Sequence, residues 1–346
     1  MSILSKRDLL DQERKGNVVI PDREEFSAFS LDMKIGRLFK RKPGAVFETP
    51  GPFDDEETEA EFVTKYLEEI EWNGEVIVGP NNQYWYYPQE DIFLAEGLAG
   101  KITSRSSWAR LAARTENQEE QNYLRNFTQE VWVNPLCTLG STGTSYVIEQ
   151  GSAVGQLFVH DGLEHCTVEE VQDLISGGDF VIERKGKRLS VDDVDFWPDG
   201  HSMAGIVLTK GPDLLVYDGS ILRKGNSDQH FTKVSLENGS YPAAERQFFL
   251  SASAETISLP NGYVGDVKER IAGTLPAMIT HANAPYIGPS SVFEGTITFE
   301  NCMLLSYAIT EGMPFTTLNL IKLRTPINGG SESRYKGQQG ATASRL

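Results

Sequence analysis

The chain has 346 residues, with 32 basic and 49 acidic side chains and a net charge of -17. One core rarely fills that length, so two domains are expected, and the acidic balance disfavours a nucleic-acid surface and favours small ligands held in a local basic pocket. Cys137, Cys166 and Cys302 are too few and too far apart for a disulfide framework or a CxxC metal site, and with no signal-like leader and no apolar run of about 18 residues the expectation is a cytoplasmic protein without a membrane partner.

Taken in chain order, Ser5 followed by Asp8 reads as a capped short helix that ends before Gly16. Residues 50–55 read as an acidic loop, and 56–69 have helix-like charge patterning. Strand patterns follow at 84–87 and 92–94, a second helical pattern at 108–125 and a strand at 146–148. Thr167 with Glu170 opens another capped helix before Gly178. Further strands are expected at 205–208, 214–217, 248–250 and 295–299, and 331–346 is a polar tail. Short strands at this spacing point to a mainly β sandwich or barrel rather than a parallel α/β sheet.

A degenerate repeat runs through these elements. Residues 5–20 and 167–182 share a capped helix, a glycine and a strand without a gap. Gly100-Lys101-Ile102 pairs with Gly265-Asp266-Val267, and Gly151 pairs with Gly312 ahead of a terminal apolar strand. From Ser5 to Thr167, Gly100 to Gly265 and Gly151 to Gly312 the offsets are 162, 165 and 161 residues, which implies a tandem duplication with loop changes. The expected domains are 1–163 and 164–346.

Two segments carry the chemistry. Arg105-Ser106-Ser107-Trp108-Ala109-Arg110 is an anion clamp by composition: two guanidiniums that grip phosphate oxygens, beside hydroxyls and backbone N–H groups at a helix entry. A capped surface helix with solvated arginines has the same composition. The second is Gly295-Thr296-Ile297-Thr298-Phe299-Glu300, where strand alternation sends Ile297 and Phe299 to a core and Thr296, Thr298 and Glu300 to a polar face.

Together with His281-Ala282-Asn283-Ala284-Pro285-Tyr286-Ile287-Gly288-Pro289 and the tail motif Arg334-Tyr335-Lys336-Gly337-Gln338-Gln339-Gly340 ending in Ser344-Arg345, these segments resemble the dCTP deaminase branch of the dUTPase-like superfamily. The resemblance implies two tandem dUTPase-like distorted β-barrels, each opened by a short helix. It implies Glu300 as the catalytic residue and Arg105, Ser106, Ser107, Arg110, Ala284, Arg334, Tyr335 and Gln338 as substrate-binding residues, with the tail closing over a bound triphosphate. The second copy keeps Arg270 but has Ile271, Ala272 and Leu275 where the first has Ser106, Ser107 and Arg110, and the carboxylate strand is missing from the first. Family sites lie between neighbouring subunits, so a composite site is expected, within one chain or between chains of a homo-oligomer.

The implied reaction is hydrolytic deamination of dCTP to dUTP and ammonia, with Glu300 as general base and Mg²⁺ carried by the triphosphate. The H-x-E and P-C-x-x-C signature of zinc deaminases is not in the sequence, so no protein-bound metal is expected. The alternatives are a dUTP or dCTP diphosphatase, against which Asn134 and Gly288 stand in place of the family's aspartate, and an inactive nucleotide-binding regulatory protein.

Overall fold

The computed structural model describes residues 2–19, 27–45, 56–80, 82–117, 131–133, 135–162, 164–199, 203–236, 239–269, 278–281, 284–328 and 332–345. The fold is mainly β, and each half is opened by a short helix. Lys6–Arg14 is capped reciprocally by Ser5 and Asp8, and Val168–Gly177 by Thr167 and Glu170; each side-chain oxygen satisfies an N–H left open at the helix start. Gly16 and Gly178 leave their helices at φ +78° and +86°, where an L side chain would be strained.

The N-terminal sheet runs in the order Ala99–Ser104, Ala153–His160, Leu31–Arg41, Tyr84–Pro88, Cys137–Ser141, Ala113–Asn117. In the C-terminal half the order is Tyr263–Glu269, Pro314–Lys322, Met203–Tyr217, Phe248–Ser258, Glu294–Met303, Met278–His281. The registers correspond as well. Ile102 faces Leu157 as Val267 faces Leu318, and Leu31 faces Leu157 as Ile206 faces Leu318. Ile102 with Val267 and Leu157 with Leu318 are pairs that the 165- and 161-residue offsets superimpose.

Each half buries its own apolar cluster. Met33, Leu38, Tyr86, Ile102, Trp108, Tyr146 and Leu157 fill the first, and Phe180, Leu208, Phe299, Phe315, Leu318 and Leu320 the second. Ile3, Phe29 and Phe158 meet Val264, Val292 and Ile321 in a third cluster that joins the halves. Each such side chain contributes about 1.5–3 kcal/mol on burial, so the two halves are packed together rather than merely linked.

Three expectations need correction. Residues 113–117 of the expected helix at 108–125 form the strand Ala113–Asn117: the helix is only Ser106–Ala109, and Ala112 at φ +64° turns the chain out of it and onto Cys137–Ser141. The helix at 56–69 stops at Tyr66, and Leu67–Glu69 pairs with Leu31–Arg41. The strands expected at 205–208 and 214–217 are one long strand, Met203–Tyr217, with a bulge between Lys210 and Leu214. The loop at 50–55 and residues 118–125 lie outside the described residues.

Candidate active site

The strand Ala99–Ser104 delivers the clamp. Arg105 stands at the entry to the short helix with extended backbone, while Trp108 and Leu111 drop into the N-terminal core, Trp108 against the ring of Tyr146 at 5.9 Å. That anchoring leaves Arg105, Ser106, Ser107 and Arg110 on the wall of a cavity of about 350 Å³, within the size range of small-ligand sites.

The opposite wall comes from the C-terminal half. Leu250 and His281 flank Glu300 across the sheet, and Glu300 is buried at 4 % exposure where it lines the cavity. Ile297 and Phe299 belong to the apolar core, whereas the Thr298 hydroxyl accepts bonds at 3.3 Å from Gln338 Nε2 and from the Thr342 backbone N–H. The expected alternation of the strand therefore holds.

Residues 332–345 close the remaining side. Gly295, at φ +145°, lets the tail approach: a Cβ there would lie 2.7 Å from the Gln338 carbonyl oxygen. Thr296 N–H donates to that oxygen at 3.1 Å, and Gly337 N–H donates to Glu294 O at 2.6 Å. Gln338 Nε2 also donates to the Thr296 carbonyl. Tyr335 is buried, with its hydroxyl donating to Ser107 Oγ at 3.3 Å and accepting from Arg345 N–H at 2.9 Å. The Gly- and Ser-rich tail thus gains defined partners on both halves.

The two arginines are not equivalent. Arg110 is 5 % exposed, donates to Thr342 O at 2.9 Å and Gln338 Oε1 at 3.2 Å, and lies 3.5 Å from the centroid of the Tyr335 ring. Burial pushes its pKa down to about 10, with Tyr335 and Glu300 acting in the opposite direction, so it stays cationic at neutral pH and interacts with the charge of Glu300. Arg105 is more open, at 29 % exposure, and pairs with Asp32 at 3.1 Å, which also accepts from Gln156 Nε2 at 3.1 Å.

Glu300, Arg105, Ser106, Ser107, Arg110, Ala284, Arg334, Tyr335 and Gln338 all line this one cavity, and all come from the same chain. Sequence reasoning missed Ser27, Phe29, Ser30, Gln156, Phe158 and Val292, which line it too. Gln156, a lone amide among the apolar residues that open Ala153–His160, was the available signal; the 27–30 segment offered none. Asn134, Asn283 and the decayed clamp at 271–275 lie outside the described residues.

No family model matches the chain. It is 32 % identical over 150 residues to a protein of Persephonella marina named "dCTP deaminase, dUMP-forming", covering 41 % of this chain and 81 % of that one. A protein of Streptomyces coelicolor with the same name is 34 % identical over 106 residues, covering 29 % of this chain and 54 % of that one, about half its length. Among solved structures, a 2'-deoxycytidine 5'-triphosphate deaminase from Agrobacterium tumefaciens superimposes with a TM-score of 0.71 at 14 % identity, over 94 % of this chain and 99 % of that one, a likeness of fold that takes in both halves.

Proposed function

Because the chain belongs to the dCTP deaminase family, we propose that it removes the 4-amino group of dCTP by hydrolysis. One observation carries this reading: the buried cation Arg110 of the N-terminal half and the buried carboxylate Glu300 of the C-terminal half line one cavity. Glu300 takes a proton from the water that attacks C4 and passes protons to N3 and to the departing ammonia. Arg110 holds a fixed positive charge beside it and fastens Gln338, while Arg105, Ser106 and Arg334 face the triphosphate.

The triphosphate enters as its Mg²⁺ complex. The proposed ion is held mainly by phosphate oxygens, as Mg²⁺ is in nucleotide complexes. We further propose that 1–163 and 164–346 are tandem copies, on the strength of the shared strand order and registers. Each copy keeps what the other lacks, so one chain completes one site. No helix among the described residues is long and apolar enough to cross a membrane.

For the product we favour dUTP and ammonia. Release of diphosphate needs a carboxylate beside the sugar, and at the position of the family's aspartate stands Gly288, where a Cβ would lie 3.0 Å from Phe29 and from Val292. The names of the relatives favour a second reading, in which the reaction continues to dUMP. Product analysis with dCTP decides: ammonia with dUTP supports the first, ammonia with dUMP and diphosphate the second, and binding without turnover refutes both.

A further inference from the structure

Glu300 faces the cavity, and its neighbour Asn301 faces the interior of the C-terminal barrel, because successive strand residues point to opposite sides. Asn301 is fully buried, and both ends of its carboxamide are engaged. Oδ1 accepts from Lys210 Nζ at 2.6 Å and Thr280 Oγ1 at 3.2 Å, while Nδ2 donates to Ser251 Oγ and Phe299 O at 3.0 Å and to Phe249 O at 3.3 Å. Lys210 is also fully buried, donates to Ser251 Oγ at 2.6 Å, and places Nζ 4.0 Å from the centroid of the Phe315 ring. These partners carry no charge, and burial holds its pKa well below the usual lysine range. Burying an amine this way costs folding free energy, and a methionine would fill the same space without that cost.

Two successive ladders are irregular here, the one from Glu294–Met303 to Phe248–Ser258 and the next one from Phe248–Ser258 to Met203–Tyr217, whereas Met278–His281 pairs with Glu294–Met303 without a shift. Lys210 to Leu214 runs opposite Ser253 to Ser251, and Ala252 to Thr256 runs opposite Thr298 to Thr296, so in each ladder one strand carries two extra residues. Strands beside such bulges are held less firmly by backbone pairing, and a slip of one residue would exchange the faces of Glu300 and Asn301.

We propose that Lys210 is a positioning residue: by holding Asn301 inside the barrel it pins the register of Glu294–Met303 and keeps Glu300 aimed into the cavity. The inference rests on the reading of Glu300 given above. Lys210 does not line the cavity, so its effect on turnover runs through Asn301 and not through substrate.

The test is Lys210→Met, assayed for ammonia release from dCTP and for thermal stability. The expected result is a fall in kcat of about tenfold or more, a KM for dCTP within a factor of about three, and a melting temperature unchanged or higher, because an apolar side chain of similar length replaces a buried amine. Wild-type kcat overturns the proposal, and so does a parallel loss of stability, kcat and substrate affinity, which marks a merely structural lysine. Should Lys210→Met not accumulate as folded protein, Asn301→Ser decides by the same criteria. Glu300→Gln, run alongside, separates the two ideas. Ammonia release by that variant refutes the role of Glu300, whereas an inactive Glu300→Gln beside a fully active Lys210→Met refutes only the register pin.

Discussion

The strands Cys137–Ser141 and Glu294–Met303 hold the same place in their sheets, each pairing with the strand that follows the long central one. The first is five residues long and carries no carboxylate; the second is ten residues long and carries Glu300. At the other end of the sheet, Ala99–Ser104 leads into Arg105, Ser106, Ser107 and Arg110, whereas the sequence after Tyr263–Glu269 keeps Arg270 but has Ile271, Ala272 and Leu275 in place of the last three. Matched strand order and register beside divided polar residues teaches that two halves can share their packing while differing in the side chains that they bring to the cavity. The barrel cores need apolar residues at the Ile102, Leu157, Val267 and Leu318 positions whatever the chemistry, but a second clamp or carboxylate adds nothing to packing.

The sharpest way to break this comparison is to remove the one carboxylate. Glu300→Gln should lower ammonia release by about 10²- to 10⁴-fold, with dCTP binding by calorimetry preserved because the amide keeps the shape. Turnover at the wild-type rate would show that the C-terminal half does not supply the base. Next in size is Arg110→Ala. It removes a buried cation that faces Glu300 and holds Gln338 and Thr342, and it should cost about 3 kcal/mol in kcat/KM. Mixing this variant with Glu300→Gln should not restore activity, since both groups line the cavity of one chain; recovery on mixing would place the working site between chains.

Arg105→Ala should have a smaller effect, about 1.5–2 kcal/mol in the KM for triphosphate, because Arg105 is partly exposed and already paired with Asp32. An equal effect on dCMP would show that it does not read the outer phosphates. The mildest test compares the halves away from the site. His160 and Ile321 occupy matching positions, facing Ala99 and Val264 across their sheets. Burial pushes the His160 pKa down to about 4, below its value in the unfolded chain. The unfolded state therefore binds the extra proton between about pH 6.5 and 4, and stability falls as pH drops through that window. His160→Ile should flatten this loss, by on the order of 2 kcal/mol, in urea melts at pH 7 and pH 4.5. Equal pH dependence in both proteins would remove His160 as its source.

What the sequence by itself determined was local and periodic. The capping pairs Ser5 with Asp8 and Thr167 with Glu170, the glycines that end their helices, the apolar terminal strands and the alternation around Glu300 each depend on residues within a turn or two of one another, and each stands in the structure as read. Pairing across the chain was decided only in three dimensions. Residues 113–117 carry helix-compatible charges, but Cys137–Ser141 offers them an edge, and the ladder overrides the propensity. That Arg110 would face Glu300 while Arg105 turned to Asp32 follows from a turn at Ala112 and from contacts more than seventy residues apart, beyond any motif. Lys210 lies between the segments 205–208 and 214–217, and the bulge that joins them places its amine against Asn301, next to Glu300 in the sequence.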